Sequence, residues 1–112
     1  MLEQTKEEID GKLIEEIILP ILTVPNPDCI ILFGSAATGK MTRGSDIDLL
    51  VVEAFPQNAR EQSVRIGNAL RGLGYPFDVM VMATERFEES KGVIGGIAYS
   101  ANKYGKVIYQ AA

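Results

Sequence analysis

The chain has 112 residues, 46% of them hydrophobic, and a net charge of −4, so residues 1–112 are expected to form a single domain around one core. The acidic balance argues against a free-standing nucleic-acid binder, which needs a basic face, and no direct nucleic-acid contact is expected. With no histidine and one cysteine, Cys29, the chain has no Ser-His-Asp triad, no ordinary zinc site and no internal disulfide, which leaves carboxylates to carry any chemistry.

In chain order, Thr5-Lys-Glu-Glu8 reads as a capping box. Ile9, Leu13, Ile17 and Ile21 then recur every four residues, the stripe of an amphipathic helix packed on a core, with Pro20 expected to end or kink it. The first ten residues lack the basic and apolar regions of a signal peptide. No apolar run reaches the ~18–20 residues of a membrane span. A cytoplasmic location without membrane contact is therefore expected.

Thr23–Asp28, with Pro25 and Pro27, reads as a loop into a buried strand, Cys29–Phe33, which ends in Gly34-Ser35. Cys29 is expected to be a buried small apolar residue. Ten residues separate Ser35 from Asp46-Ile47-Asp48, which opens a second apolar run, Leu49–Val52. Residues i and i+2 of a strand share a face about 6–7 Å apart, so Asp46 and Asp48 present two carboxylates side by side. Magnesium takes hard oxygen ligands, commonly one or two carboxylates plus phosphate oxygens. Two such ions about 3.5–4 Å apart can hold the attacking and leaving oxygens of a phosphoryl displacement. Gly34 lets the backbone come close and Ser35 offers a hydroxyl and an amide. If a helical turn begins at Ala36–Lys40, its free amides face phosphates. Strand, Gly-Ser turn, polar excursion and Asp-x-Asp together read as a site for a nucleoside triphosphate and its metal ions. Lys40, Thr42, Arg43 and Ser45 lie in the excursion, placed to meet the triphosphate or an acceptor.

Asn58-Ala-Arg-Glu61 reads as a second capping box after a turn at Ala54–Gln57. It starts a helix with Ile66, Leu70 and Leu73 on one stripe and with Gly72 and Gly74 stopping it. Phe77–Met82 reads as a strand in which Asp78 is the one charge. A buried acid there needs a metal, a hydrogen bond or an arginine such as Arg43 or Arg71. Thr84 is placed to cap a short acidic helix, Glu85–Ser90. Val93, Ile94, Ile97, Ala98 and Ala101 have helical spacing, weakened by Gly95 and Gly96. Gly105 reads as the stop of that helix, Lys106–Gln110 as a final strand, and Tyr99, Tyr104 and Tyr109 as packing residues. The order of elements suggests an α/β (α+β) fold, a mixed sheet flanked by helices.

Gly34 through Lys40 also matches the start of a P-loop. Met41 stands where a P-loop has Ser or Thr. The five residues between Lys40 and Asp46 are too few for the helical crossover of at least ~10–12 residues to a parallel strand. The P-loop stays as a minor alternative.

Gly34-Ser35 followed after ten residues by Asp46-x-Asp48 resembles the signature of the DNA polymerase β-like nucleotidyltransferase superfamily. The short length and the SDIDLLVV stretch resemble its minimal, MNT-type members. The resemblance implies a nucleotidyltransferase fold and transfer of a nucleoside monophosphate, AMP from ATP as substrate, with two magnesium ions. It also implies a third carboxylate on a neighbouring strand, for which Asp78 is the candidate: metal ligand with Asp46 and Asp48, and base for the acceptor hydroxyl. Gly34 and Ser35 would hold the β and γ phosphates, with Lys40, Arg43 and Ser45 as further nucleotide-binding candidates. Many such proteins are antitoxins beside a helical HEPN-domain toxin, to which some attach AMP, so an adenylyltransferase acting on a HEPN-type partner is expected. Two alternatives stay open: a non-catalytic antitoxin that neutralises its partner by contact, and a small-molecule nucleotidyltransferase, for whose usual acceptor domain the chain has no room.

Overall fold

The computed structural model describes residues 11–39 and 44–111. The first capping box and Ile9 lie outside them. Helix α1, Gly11–Ile21, buries Leu13, Ile17 and Ile21, the stripe expected from the sequence. Pro20 sits in its last turn. The chain leaves the helix immediately afterwards, where Thr23 Oγ1 donates to the Pro20 carbonyl at 2.7 Å.

Strand β1, Pro27–Phe33, is followed by one turn of helix, α2, Ser35–Thr38, and then by β2, Ile47–Glu53. Helix α3 covers Ala59–Leu70, and Asn58 caps it by accepting from the Glu61 amide at 3.0 Å. The chain runs on through a 3-10 turn, Arg71–Leu73, which stops at Gly74 with φ 88°, so the helix ends before Gly72 rather than at it. Next come β3, Phe77–Ala83, α4, Thr84–Ser90, α5, Ile97–Tyr104, and β4, Lys106–Gln110.

The four strands form one sheet in the order β3-β2-β1-β4, with β2 and β3 parallel and β1 antiparallel to both β2 and β4. Alternation along the strands makes two cores. Ile30, Leu32, Ile47, Leu49 and Val51 meet α1 and α3 on one face, while Cys29, Ile31, Leu50 and Val52 meet Phe87 of α4 and Ala98 and Ala101 of α5 on the other. The mixed sheet flanked by helices is the expected architecture, and Cys29 is buried, 8% exposed.

Three local expectations are corrected. Helix α5 begins at Ile97, and Val93 and Ile94 precede it, exposed at 63% and 80%. Gly95, at φ 106°, adopts the left-handed conformation that breaks a helix before Gly96. Thr84 is the first residue of α4 rather than its cap, and its hydroxyl donates across the fold to Asp28 Oδ2. Of the three tyrosines, Tyr109 packs on the core. Tyr99 and Tyr104 instead flank the Lys103 ammonium, 5.6 and 5.4 Å from their ring centres. Gly105 ends α5 as expected, and a Cβ there would meet the Leu32 carbonyl at 3.0 Å. Its missing side chain is what lets α5 hand over directly to β4 against β1.

Candidate nucleotidyl-transfer site

The strands bring the acids together by register. In the parallel pair β2–β3, Asp48 stands opposite Asp78, and parallel neighbours in register point to the same face at the strand spacing of about 4.8 Å. That face also carries Leu50, Val52 and Met82, so α4 and α5 close it at one end and the acids lie open at the other. Asp46 immediately precedes β2, exposed. The Ile47 amide donates to the Pro76 carbonyl at 2.8 Å, which ties the start of β2 to the start of β3 and holds the acids at a common end.

The Asp48 carboxyl is pushed up, first by burial and then by the charges of Asp78 and Asp46. Among the described residues no basic group forms an ion pair with any of the three; the ion pair found there is Lys91–Glu88. Arg71, an expected alternative partner for Asp78, donates instead to Asn68 Oδ1 at 3.1 Å. Asp78 is exposed on the edge strand. It therefore does not carry the burial cost that its apolar strand suggested.

The three side chains do not close on a common point: no group of three His, Cys, Asp or Glu among the described residues is gathered tightly enough to hold a metal ion. The donor set itself, hard oxygens alone on adjoining strands, suits magnesium rather than a thiolate- or imidazole-preferring metal.

Gly34 follows β1 at the residue pair Phe33–Asp48 and has φ 71°. A Cβ built on it would run into Asp48 Oδ2. Backbone approach is thus required of Gly34 twice, by conformation and by contact with an acid of the site. Its carbonyl accepts from the Ala37 amide at 3.1 Å, which starts α2 and leaves the amides of Ser35 and Ala36 outside the turn's own bonds. Because β1 and β2 are antiparallel and α2 has four residues, the P-loop alternative is overturned: a P-loop joins parallel strands through a full helix. Ser45 lies half-exposed just before Asp46. Lys40 and Arg43 lie outside the described residues.

A model of the nucleotidyltransferase domain matches residues 12–104. The chain belongs to this family. No curated protein matches it. Among solved structures, a chain of a toxin–antitoxin crystal structure with AMP-PNP superposes with a TM-score of 0.69 at 21% identity, over 88% of this chain and 73% of that one. A chain of the MntA-HepT toxin–antitoxin gives 0.60 at 19%, over 90% and 74%. A chain of a tri-AMPylated Shewanella oneidensis HEPN toxin in complex with MNT antitoxin gives 0.58 at 19%, over 89% and 72%. The likeness is one of fold, and the nucleotidyltransferase resemblance read from the motif holds for family and architecture.

Sequence reading of this nucleotidyltransferase missed the contact between Gly34 and Asp48. The Gly-Ser pair alone carried a signal for a tight turn and none for its neighbour. Gly34→Ala is expected to destabilise the protein by about 1–3 kcal/mol for the backbone alone, since φ 71° with ψ −153° is a region essentially confined to glycine, and by more as Asp48 is displaced. That corresponds to a fall in Tm of several degrees, since ~1 kcal/mol shifts a domain of this size by roughly 4–8 °C. Thermal melts of the two proteins check it, and an unchanged Tm would deny the close approach.

Proposed function

We propose that this nucleotidyltransferase moves a nucleoside monophosphate, AMP from ATP, to a hydroxyl on a HEPN-type helical partner in a magnesium-dependent reaction, and so acts as an antitoxin. The observation that carries the reading is the register of Asp48 with Asp78, with the Gly34 backbone against Asp48. The fold shared with MNT–HEPN complexes supports the choice of partner.

Asp46, Asp48 and Asp78 would hold the magnesium ions. The chemistry magnesium supplies when bound is neutralisation of the triphosphate charge and a lower pKa for the acceptor hydroxyl. The backbone at Gly34-Ser35 and the Ser35 hydroxyl would orient the β and γ phosphates. Asp78, at the open edge of the sheet, would take the proton of the acceptor hydroxyl. The freed oxygen then forms its bond to the α-phosphorus as the bond to the β-phosphate oxygen breaks and pyrophosphate leaves. Catalysis on this scaffold would consist of positioning and charge compensation.

A second reading, neutralisation by contact without transfer, is favoured by the exposed apolar residues Val93, Ile94 and Ile97 before and at the start of α5. The triphosphate site itself is tested by calorimetry with ATP in magnesium and in EDTA. Binding at least tenfold tighter with magnesium is expected, because three unpaired acids repel a bare triphosphate. Equal affinity in both buffers would count against a carboxylate–metal site.

A further inference from the structure

At the far end of β2 from Asp48, and on the opposite face of the sheet, lies a second polar centre. Glu53 lies five positions along the strand from Asp48, about 17 Å at ~3.3 Å per residue. Glu53 ends β2 and is 1% exposed, the one charged side chain in the core among the described residues. Its Oε2 accepts from Gln62 Nε2 of α3 at 3.3 Å. That bond turns the other amide atom away, and both Glu53 Oε1 and Gln62 Oε1 are buried without a hydrogen-bond partner. Buried polar atoms of this kind are costly to leave unmatched. Both are acceptors, so what they lack is a donor.

The two residues line a cavity of about 280 Å³ shared with Phe55, Asn58, Glu61 and Arg65. Phe55 has two unusual features. It is 88% exposed, and at φ 56° it is the one described non-glycine residue in the left-handed region. The turn that carries it is anchored, because the Ala54 amide donates to the Asn26 carbonyl at 2.9 Å. Strained backbone held by its surroundings is a recurrent property of binding sites. Here it sets an aromatic ring at the rim of a cavity that holds a buried carboxylate. Arg65 also lines the cavity, yet no ion pair joins it to Glu53.

We infer that this cavity is a docking site for an arginine side chain of a partner protein, whose guanidinium donates to Glu53 Oε1 and Gln62 Oε1 beside the Phe55 ring. A guanidinium has five donors in a plane, is weakly hydrated and stacks on aromatic faces, which matches acceptors next to an exposed ring. The source is a protein side chain rather than free arginine, because the α-carboxylate of the free amino acid, left at the cavity mouth, would meet the exposed Glu61 carboxylate. The inference is independent of the transfer site, which lies on the other face and at the other end of the strand.

The probe is Nα-acetyl-arginine-N-methylamide, followed by chemical shifts of the Gln62 side-chain amide and the Phe55 ring in the whole chain. Saturable binding is expected, at least tenfold weaker for the citrulline analogue, which keeps the shape and loses the charge. Glu53→Gln should weaken the arginine probe at least tenfold and Phe55→Ala about threefold. If Glu53→Gln does not fold, Phe55→Ala, a change at an exposed side chain, carries the test. Equal binding of citrulline, or no saturable binding at all, would overturn the inference. Tighter binding of free arginine than of the blocked form would overturn the protein source. An Arg65→Ala variant that melts lower than wild type, with no such loss in a Glu53→Gln background, would show that the chain's own arginine fills the cavity and would overturn it equally.

Discussion

Changing Asp46→Asn together with Asp48→Asn is expected to abolish label transfer from α-labelled ATP to the partner while leaving the fold intact. Loss of carboxylates that hold the metal should remove several kcal/mol of transition-state stabilisation, roughly a thousandfold or more in rate. The fold should survive because Asp46 is exposed and Asp48 lies at the open end of its face. Neither has a hydrogen bond or ion pair among the described residues whose loss would cost stability, and asparagine keeps their shape. Transfer and neutralisation should be measured on the same preparations. A double variant that transfers nothing and still silences its partner as well as wild type would decide for contact neutralisation. A variant that fails at both supports the enzymatic reading.

The second large effect concerns Asp78. Asp78→Asn removes one of the two charges that, after burial, push the Asp48 carboxyl up. Transfer should be lost, since Asp78 is proposed both to hold magnesium and to receive the acceptor's proton. Stability should move the other way. In EDTA the variant should melt at the temperature of wild type or slightly above, because a repulsion is relieved. The gain should stay below about 1 kcal/mol, as Asp78 is exposed and solvent screens it. With magnesium, wild type should be stabilised and the variant much less so, since a ligand that binds the folded state alone raises its stability. Melting curves of both proteins in the two buffers check all of this. A clear fall in Tm for Asp78→Asn in EDTA would assign Asp78 to a structural ion pair instead.

Much of this protein is legible in its sequence because the signals are local. The four-residue spacing of Leu13, Ile17 and Ile21 places α1 and its buried face, since one helical turn sets that period. Asn58 with Glu61 marks the start of α3, where a side-chain oxygen must meet a first-turn amide. Alternation separates Asp78 and Met82 from Phe77, Val79 and Val81, because successive strand residues point to opposite faces. The Gly34-Ser35 and Asp46-x-Asp48 pair identified the family, with both halves lying within a dozen residues of each other.

What the sequence left open depends on contacts between distant segments. Local pattern could not order the strands as β3-β2-β1-β4, although the short return from Lys40 to Asp46 already weighed against parallel β1 and β2. It could not set the register that puts Asp48 opposite Asp78, because a slip of one residue would send every side chain to the other face. Nor could it show that β3 is an edge strand, where an acid amid apolar residues meets water and needs no arginine. Thr84 illustrates the same limit: it looked like a helix cap until the fold brought Asp28 to it, 56 residues away. Glu53 reads as the polar end of an apolar run. Only the packing of α3 over β2 buries it and leaves its oxygen without a partner, because burial is decided by what the rest of the chain places above a residue.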